Sequence, residues 1–198
     1  MIKFNNLSKE TPYLIFKEKY ETSLSSNQKN IEAISISSYS VDKQEVNSRY
    51  VNLKFIQNKE FIFFSNYNSP KSQEFLSHQQ ISALIYWNSI NMQIRIKANI
   101  FRTPQSYNND YFRSRDTHKN ALAISSNQSK PILSYENVLM NYKKSLNDDD
   151  LTSCPDYWGG FSFIPYYFEF WEGHDSRINK RNSYILDAGE WKHQILQP

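Results

Sequence analysis

Residues Trp158 to Arg181, WGGFSFIPYYFEFWEGHDSRINKR, decide how the rest of the chain is read. Trp158-Gly159-Gly160 holds two of the four glycines in the sequence. Without a Cβ, backbone at such a place can turn or approach another group closely. Tyr167-Phe168-Glu169-Phe170-Trp171 is almost wholly aromatic and predicts a strand. Gly173 interrupts the run, and Arg177, Lys180 and Arg181 follow. A rigid aromatic strand leading into a basic turn suits a flat ring with an anionic tail. It equally describes an ordinary core strand with a solvated basic loop.

The rest of the composition bounds the alternatives. A chain of 198 residues, 39% hydrophobic and 16% aromatic, is long enough for one domain with a full core. One domain over residues 1–198 is therefore expected, with the polar residues 1–10 loose at the start. The net charge of +3 is small, and the cations are scattered rather than striped, which argues against nucleic acid as a partner. Cys154 is the only cysteine, so neither an internal disulfide nor a thiolate metal cluster is available. His78, His118, His174 and His193 lack paired ligand spacing, and no metal site is expected. No apolar run has membrane-spanning length and no signal-peptide core opens the sequence, so a cytoplasmic protein is expected. Phosphate-loop, dinucleotide and serine-hydrolase motifs are absent.

Along the chain, Thr11-Pro12 predicts a helix start, threonine as cap and proline first, with Tyr13, Phe16 and Tyr20 on one face. Strands are predicted at 33–37, 49–54, 61–65, 82–87, 92–102, 183–186 and 191–196, and helices at 69–76, 104–114 and 134–146. If the strand at 49–54 is regular, Arg49 and Lys54 point to opposite faces. Lys71, in the first turn of its helix, opposes the helix dipole unless an anion binds there. Tyr111 and Arg115 stand four apart on one helical side, where a phenol and a guanidinium can share a phosphate.

The order of these motifs resembles the pyridoxine/pyridoxamine 5′-phosphate oxidase family, from about Pro12 to the C-terminus. The family pattern WGG, EFWQG, RLHDR is matched by Trp158-Gly159-Gly160, Glu169-Phe170-Trp171-Glu172-Gly173 and Arg177-Ile178-Asn179-Lys180-Arg181. The resemblance implies a mainly β fold with flanking helices, an FMN-binding split β-barrel that works as a homodimer. It implies an FMN-dependent oxidase that converts pyridoxine or pyridoxamine 5′-phosphate to pyridoxal 5′-phosphate, with O2 as acceptor and H2O2 released. For FMN it implies Arg49, Val51, Leu53, Lys54, Phe64, Ser65, Lys71, Gln93, Gln128, Ser129, Trp171 and Arg181. For substrate it implies Lys54, Tyr111, Arg115, Lys119, Arg177 and Asn179, the last two at the reacting face.

Three positions depart from the family pattern. Pro70 replaces an arginine of the flavin-phosphate motif, removing a bidentate donor and a backbone N–H. Lys119 stands at the phosphate-binding serine, and Asn179 at a histidine. Asparagine cannot titrate near neutral pH, so slow turnover is expected. The family's Arg-x-x-Tyr segment, which folds over the substrate, has no match in residues 1–10. These departures leave an alternative open: an FMN- or pyridoxal-phosphate-binding homologue with weak or no oxidase activity. A flavin-linked reductase of the same superfamily is a third reading.

Overall fold

One long strand organises the molecule. In the computed structural model, which describes residues 1–198, β8 runs from Trp158 to Glu172. On one edge, from Phe161 to Glu172, it pairs with the whole of β7 (Met92–Arg102). Its other edge is shared. Trp158 to Phe163 pair with β5 (Glu60–Asn66), whereas Tyr167 to Glu172 pair with β9 (Lys180–Asp187). The handover falls at Pro165, which has no N–H to donate, and the register with β7 shifts there, between Lys97 and Ala98.

The remaining strands extend this frame. They are β1 (Lys3–Asn5), β2 (Ala33–Ser40), β3 (Glu45–Asn52), β4 (Phe55–Gln57), β6 (Gln80–Trp87) and β10 (Glu190–Ile195). The sheet order is β1-β4-β5-β8-β7-β6-β2-β3, with β9 and β10 branching from β8. All pairings are antiparallel except β1 with β4. The β9–β10 hairpin turns on Ala188 (φ 48°) and Gly189 (φ 87°), the two positive φ values of a primed two-residue turn.

Five helices flank the sheet: α1 (Thr11–Ser25), α2 (Pro70–Ser77), α3 (Gln105–Ser114), α4 (Thr117–Ser125) and α5 (Tyr135–Asp148). As the spacing predicted, α1 buries Tyr13, Phe16 and Tyr20. Phe16 meets Phe61 edge-on at 5.1 Å and lies 5.5 Å from Trp87. The cap of α1 differs from expectation. Glu10 holds that position, and Thr11 is already helical. The Glu10 carboxylate is turned away to Lys59 and to Trp191 Nε1–H, so no side chain caps the helix.

Residues 1–10 are not loose. Lys3–Asn5 form β1, Ile2 is buried, and Ile2 N–H donates to the Tyr20 hydroxyl at 3.0 Å. The glycines of β8 serve close approach rather than a turn. A Cβ on Gly159 would collide with the Tyr67 hydroxyl and the Asn108 amide, and one on Gly160 with Thr103. No helix is long and apolar enough to cross a membrane.

Candidate functional site

A cavity of about 740 Å³ opens between the β3–β5 part of the sheet and helices α2, α3 and α4. Its aromatic wall is a stack. Phe64, on β5, lies 3.9 Å from the Tyr111 ring (27° between planes) and 5.2 Å from Trp158 (11°). Phe55 closes the stack edge-on against Tyr111 at 5.2 Å. Such stacking fixes the rings before any ligand arrives.

Cations border the aromatic wall. Arg115, at the end of α3, lies over the Trp158 ring at 4.4 Å and donates to Asn120 Oδ1 at 3.1 Å. Burial lowers its pKa, and burial does the same to Lys54, where Lys119 and Arg115 add repulsion after partial compensation from Glu32. Lys71 is pushed down to about 8, first by burial and then by the Arg49 guanidinium nearby. Tyr111 is pushed up by burial and stays a protonated donor. Lys54, Arg115 and Lys119 form no ion pair. The cavity thus has a mostly cationic lining and a flat aromatic wall, donors and rings that fit a ring compound bearing a phosphate.

Of the residues singled out from sequence, Val51, Lys54, Phe64, Ser65, Lys71, Tyr111, Arg115, Lys119 and Gln128 line this cavity. Gln128 accepts from Ser65 Oγ and from Asn66 N–H, both at 3.2 Å, tying the loop after α4 to the end of β5. Trp158 and Phe55, also in the lining, were missed as site residues. Trp158 was visible only as the start of a motif, and Phe55 follows Lys54 with no signal of its own.

Other expected residues lie elsewhere. Leu53 is fully buried in the core rather than along the cavity. Arg49 does not line the cavity either. Its guanidinium bridges from β3 to α2, with Nη2 donating to Glu74 at 2.8 Å and Nη1 to Ser38 Oγ at 2.6 Å. Glu74 also accepts from Ser38 Oγ and from Asn47 Nδ2. Ser129 is exposed with φ 67° and borders a separate recess beside α5.

Gln93, Trp171 and Arg181 form a row across three strands, Gln93 opposite Trp171 and Trp171 opposite Arg181. Arg181 and Arg95 both clamp the buried Glu169 carboxylate, at 2.8 and 2.7 Å, and Glu169 is held low by Tyr167, Arg181 and Arg95 despite burial. Arg177 and Asn179 sit in the turn after β8. Arg177 is left-handed (φ 60°), and its N–H donates to the His174 carbonyl at 2.8 Å. Asn179 Oδ1 accepts from His174 N–H at 3.0 Å, so its carboxamide is engaged in holding this turn. Neither this turn nor the Gln93–Trp171–Arg181 row reaches the cavity of the same chain.

The fold and cavity define a split β-barrel protein with a cationic, aromatic ligand site. Two solved structures share the fold: PhzG from Burkholderia lata, crystallised with tetrahydrophenazine-1-carboxylic acid (TM-score 0.90, 23% identity, 96% of this chain and 93% of that one), and a pyridoxamine 5′-phosphate oxidase-related, FMN-binding protein from Nostoc punctiforme (TM-score 0.78, 10% identity, 92% and 97%). Residues 158–198 match the pyridoxine 5′-phosphate oxidase C-terminal dimerisation region. The chain is 36% identical over 175 residues to pyridoxine/pyridoxamine 5′-phosphate oxidase 1 of Hydrogenovibrio crunogenus, covering 87% of this chain and 80% of that protein. It is 32% identical over 195 residues to the oxidase of Colwellia psychrerythraea, covering 96% and 88%. The chain belongs to the pyridoxine/pyridoxamine 5′-phosphate oxidase family.

Proposed function

We propose that this chain is an FMN-dependent oxidase of pyridoxine or pyridoxamine 5′-phosphate, acting in the cytoplasm as a homodimer. The observation that carries the reading is the cavity itself, where a stack of Phe64, Tyr111 and Trp158 meets Lys54, Lys71, Arg115 and Lys119. Bound there, FMN would supply the two-electron acceptor chemistry that no side chain of this protein has. Overall, the substrate carbon loses two electrons and two protons to O2, giving the aldehyde and H2O2; for the amine, water enters and ammonia leaves.

The chain's own residues bind and orient. Lys71, in the first turn of α2, would hold one phosphate, and Lys54, Tyr111, Arg115 and Lys119, which line the same cavity, would hold the other. The aromatic wall holds ring against ring and excludes water, so the gain is mainly one of placement. Trp171, Arg181, Gln93 and the Arg177 turn of a second copy would complete the site.

A second reading, a flavin- or pyridoxal-phosphate-binding homologue with little turnover, is favoured by one observation. The Asn179 carboxamide is occupied by His174 N–H, and the turn presents no titratable group at that place. The test is the visible spectrum of purified protein, followed by peroxide release with saturating FMN and pyridoxamine 5′-phosphate. Flavin-bound protein that makes peroxide supports the oxidase. Flavin-bound protein that makes none supports the second reading, and a colourless protein that ignores added FMN overturns both.

A further inference from the structure

The cavity has a wall built by the N-terminal strand. β1 is only three residues long, but it is held firmly. Lys3 N–H donates to the Lys54 carbonyl at 2.9 Å, and Asn58 N–H donates to the Asn5 carbonyl at 3.0 Å. Strand alternation then settles which side chains face where. Ile2 is buried in the core, and Phe4 packs edge-on against Tyr20 at 5.1 Å. Lys3 therefore takes the opposite face, where it lines the same cavity as Lys54 and Lys119.

The charge balance there is one-sided. Lys3, Lys54, Lys71, Arg115 and Lys119 line the cavity, against a single carboxylate, Asp116. That carboxylate accepts Lys119 N–H at the start of α4 and makes no ion pair. Lys3 also has no acidic partner within ion-pair distance. β1 thus adds to the cavity lining a cation with no acidic partner, which an anion bound in the cavity would satisfy.

The geometry points to Lys3 as a further substrate-binding residue, which together with Lys54 holds the phosphate of the bound pyridine compound. This rests on the oxidase-family reading above and adds to it a contact supplied by β1.

The test compares binding of pyridoxal 5′-phosphate and of pyridoxal to the FMN-loaded protein, for wild type, Lys3→Gln, Lys3→Arg, Lys54→Gln and the double Gln variant. Pyridoxal closes to an internal hemiacetal and its 5′-phosphate does not, so each variant is read as the ratio of its affinity to wild type for the same ligand. Lys3→Gln is expected to weaken pyridoxal 5′-phosphate about tenfold, the low end for a hydrogen bond to a charged group, and to leave pyridoxal unchanged. Lys3→Arg should keep most of the affinity, and the loss should shrink at high salt. Wild-type affinity in Lys3→Gln, with Lys54→Gln still impaired, would overturn the Lys3 assignment alone. Equal losses for both ligands would show that β1 merely shapes the wall, which also overturns it. A wild type that binds no pyridoxal 5′-phosphate overturns this assignment and the substrate reading together.

Discussion

Trp158 and Trp171 occupy opposite ends of the same strand, and only Trp158 touches the cavity. At ~3.3 Å per residue the two indoles are roughly 40 Å apart along β8. No ring compound spans that distance. If Trp171 contributes to a flavin site, it contributes to the cavity of a second copy. A twofold dimer would then bear two equal sites, each made from both chains. Lys71→Ala and Trp171→Ala proteins should each bind FMN poorly. Mixed and reassembled, each heterodimer should recover about half the wild-type capacity, because one of its two sites then carries both substitutions and the other neither. Titration of flavin fluorescence across the mixing ratio measures it. Normal binding by Trp171→Ala would place Trp171 outside the site, and failure of the mixture to recover any binding would overturn its contribution to the partner's cavity.

Lys71 sets a pH dependence. Its folded pKa of about 8 lies below the ordinary lysine value of 10.5. The ammonium attracts a phosphate, and a phosphate monoester is already dianionic above about pH 6. Affinity for FMN should therefore be full below pH 8 and decline as pH rises through it. Lys71→Arg keeps its charge over this range and should flatten the profile. Dissociation constants measured between pH 6.5 and 9.5 for both proteins decide the matter.

The Arg49–Glu74 pair is mostly buried and joins β3 to α2. Removing one partner strands the other. Glu74→Ala should lower stability by about 3–5 kcal/mol in urea unfolding. Arg49→Met with Glu74→Leu together should cost much less, since no charge is left behind. A loss in the double variant equal to that of the single would mean that packing, not charge, is at stake.

Gly159 faces the Tyr67 hydroxyl, which donates to the Gly160 carbonyl at 3.0 Å and accepts from Asn108 Nδ2 at 3.0 Å. Gly159→Ala should therefore destabilise the protein by about 1–3 kcal/mol, the usual cost of overpacking. Thermal or urea denaturation checks this, and a neutral result would mean that Tyr67 can swing aside.

Much of the fold was legible because apolar alternation is local. Met92 to Arg102 and the Tyr13–Phe16–Tyr20 face follow directly from period, and Phe61 to Phe64 from an unbroken apolar run. The helix α4 was not seen, since its apolar residues, Ala121 to Ile124, run consecutively and show no helical spacing. β1 was read as loose because three residues hold no period, and its place depends on pairing with β4 some 50 residues away. In the site, motif order found the cavity cations but not what they touch. That Arg49 would turn to Glu74, or Asn179 to His174 N–H, depends on tertiary neighbours that no spacing encodes.

The handover at Pro165 has a consequence for motion. In the sheet the β9–β10 hairpin pairs with the second half of β8 alone; otherwise Trp191 anchors it on Tyr13, Phe168 and Glu10, and the rest of β10 is largely exposed. Its amides should exchange with solvent well before those of β5 and β7, as one cooperative unit. Because Arg181 lies on that hairpin, a ligand that engages it binds only while β9 is paired with β8. Ligand occupancy and hairpin protection are then the same equilibrium seen from two sides, and saturating ligand should slow exchange there more than anywhere else in the chain.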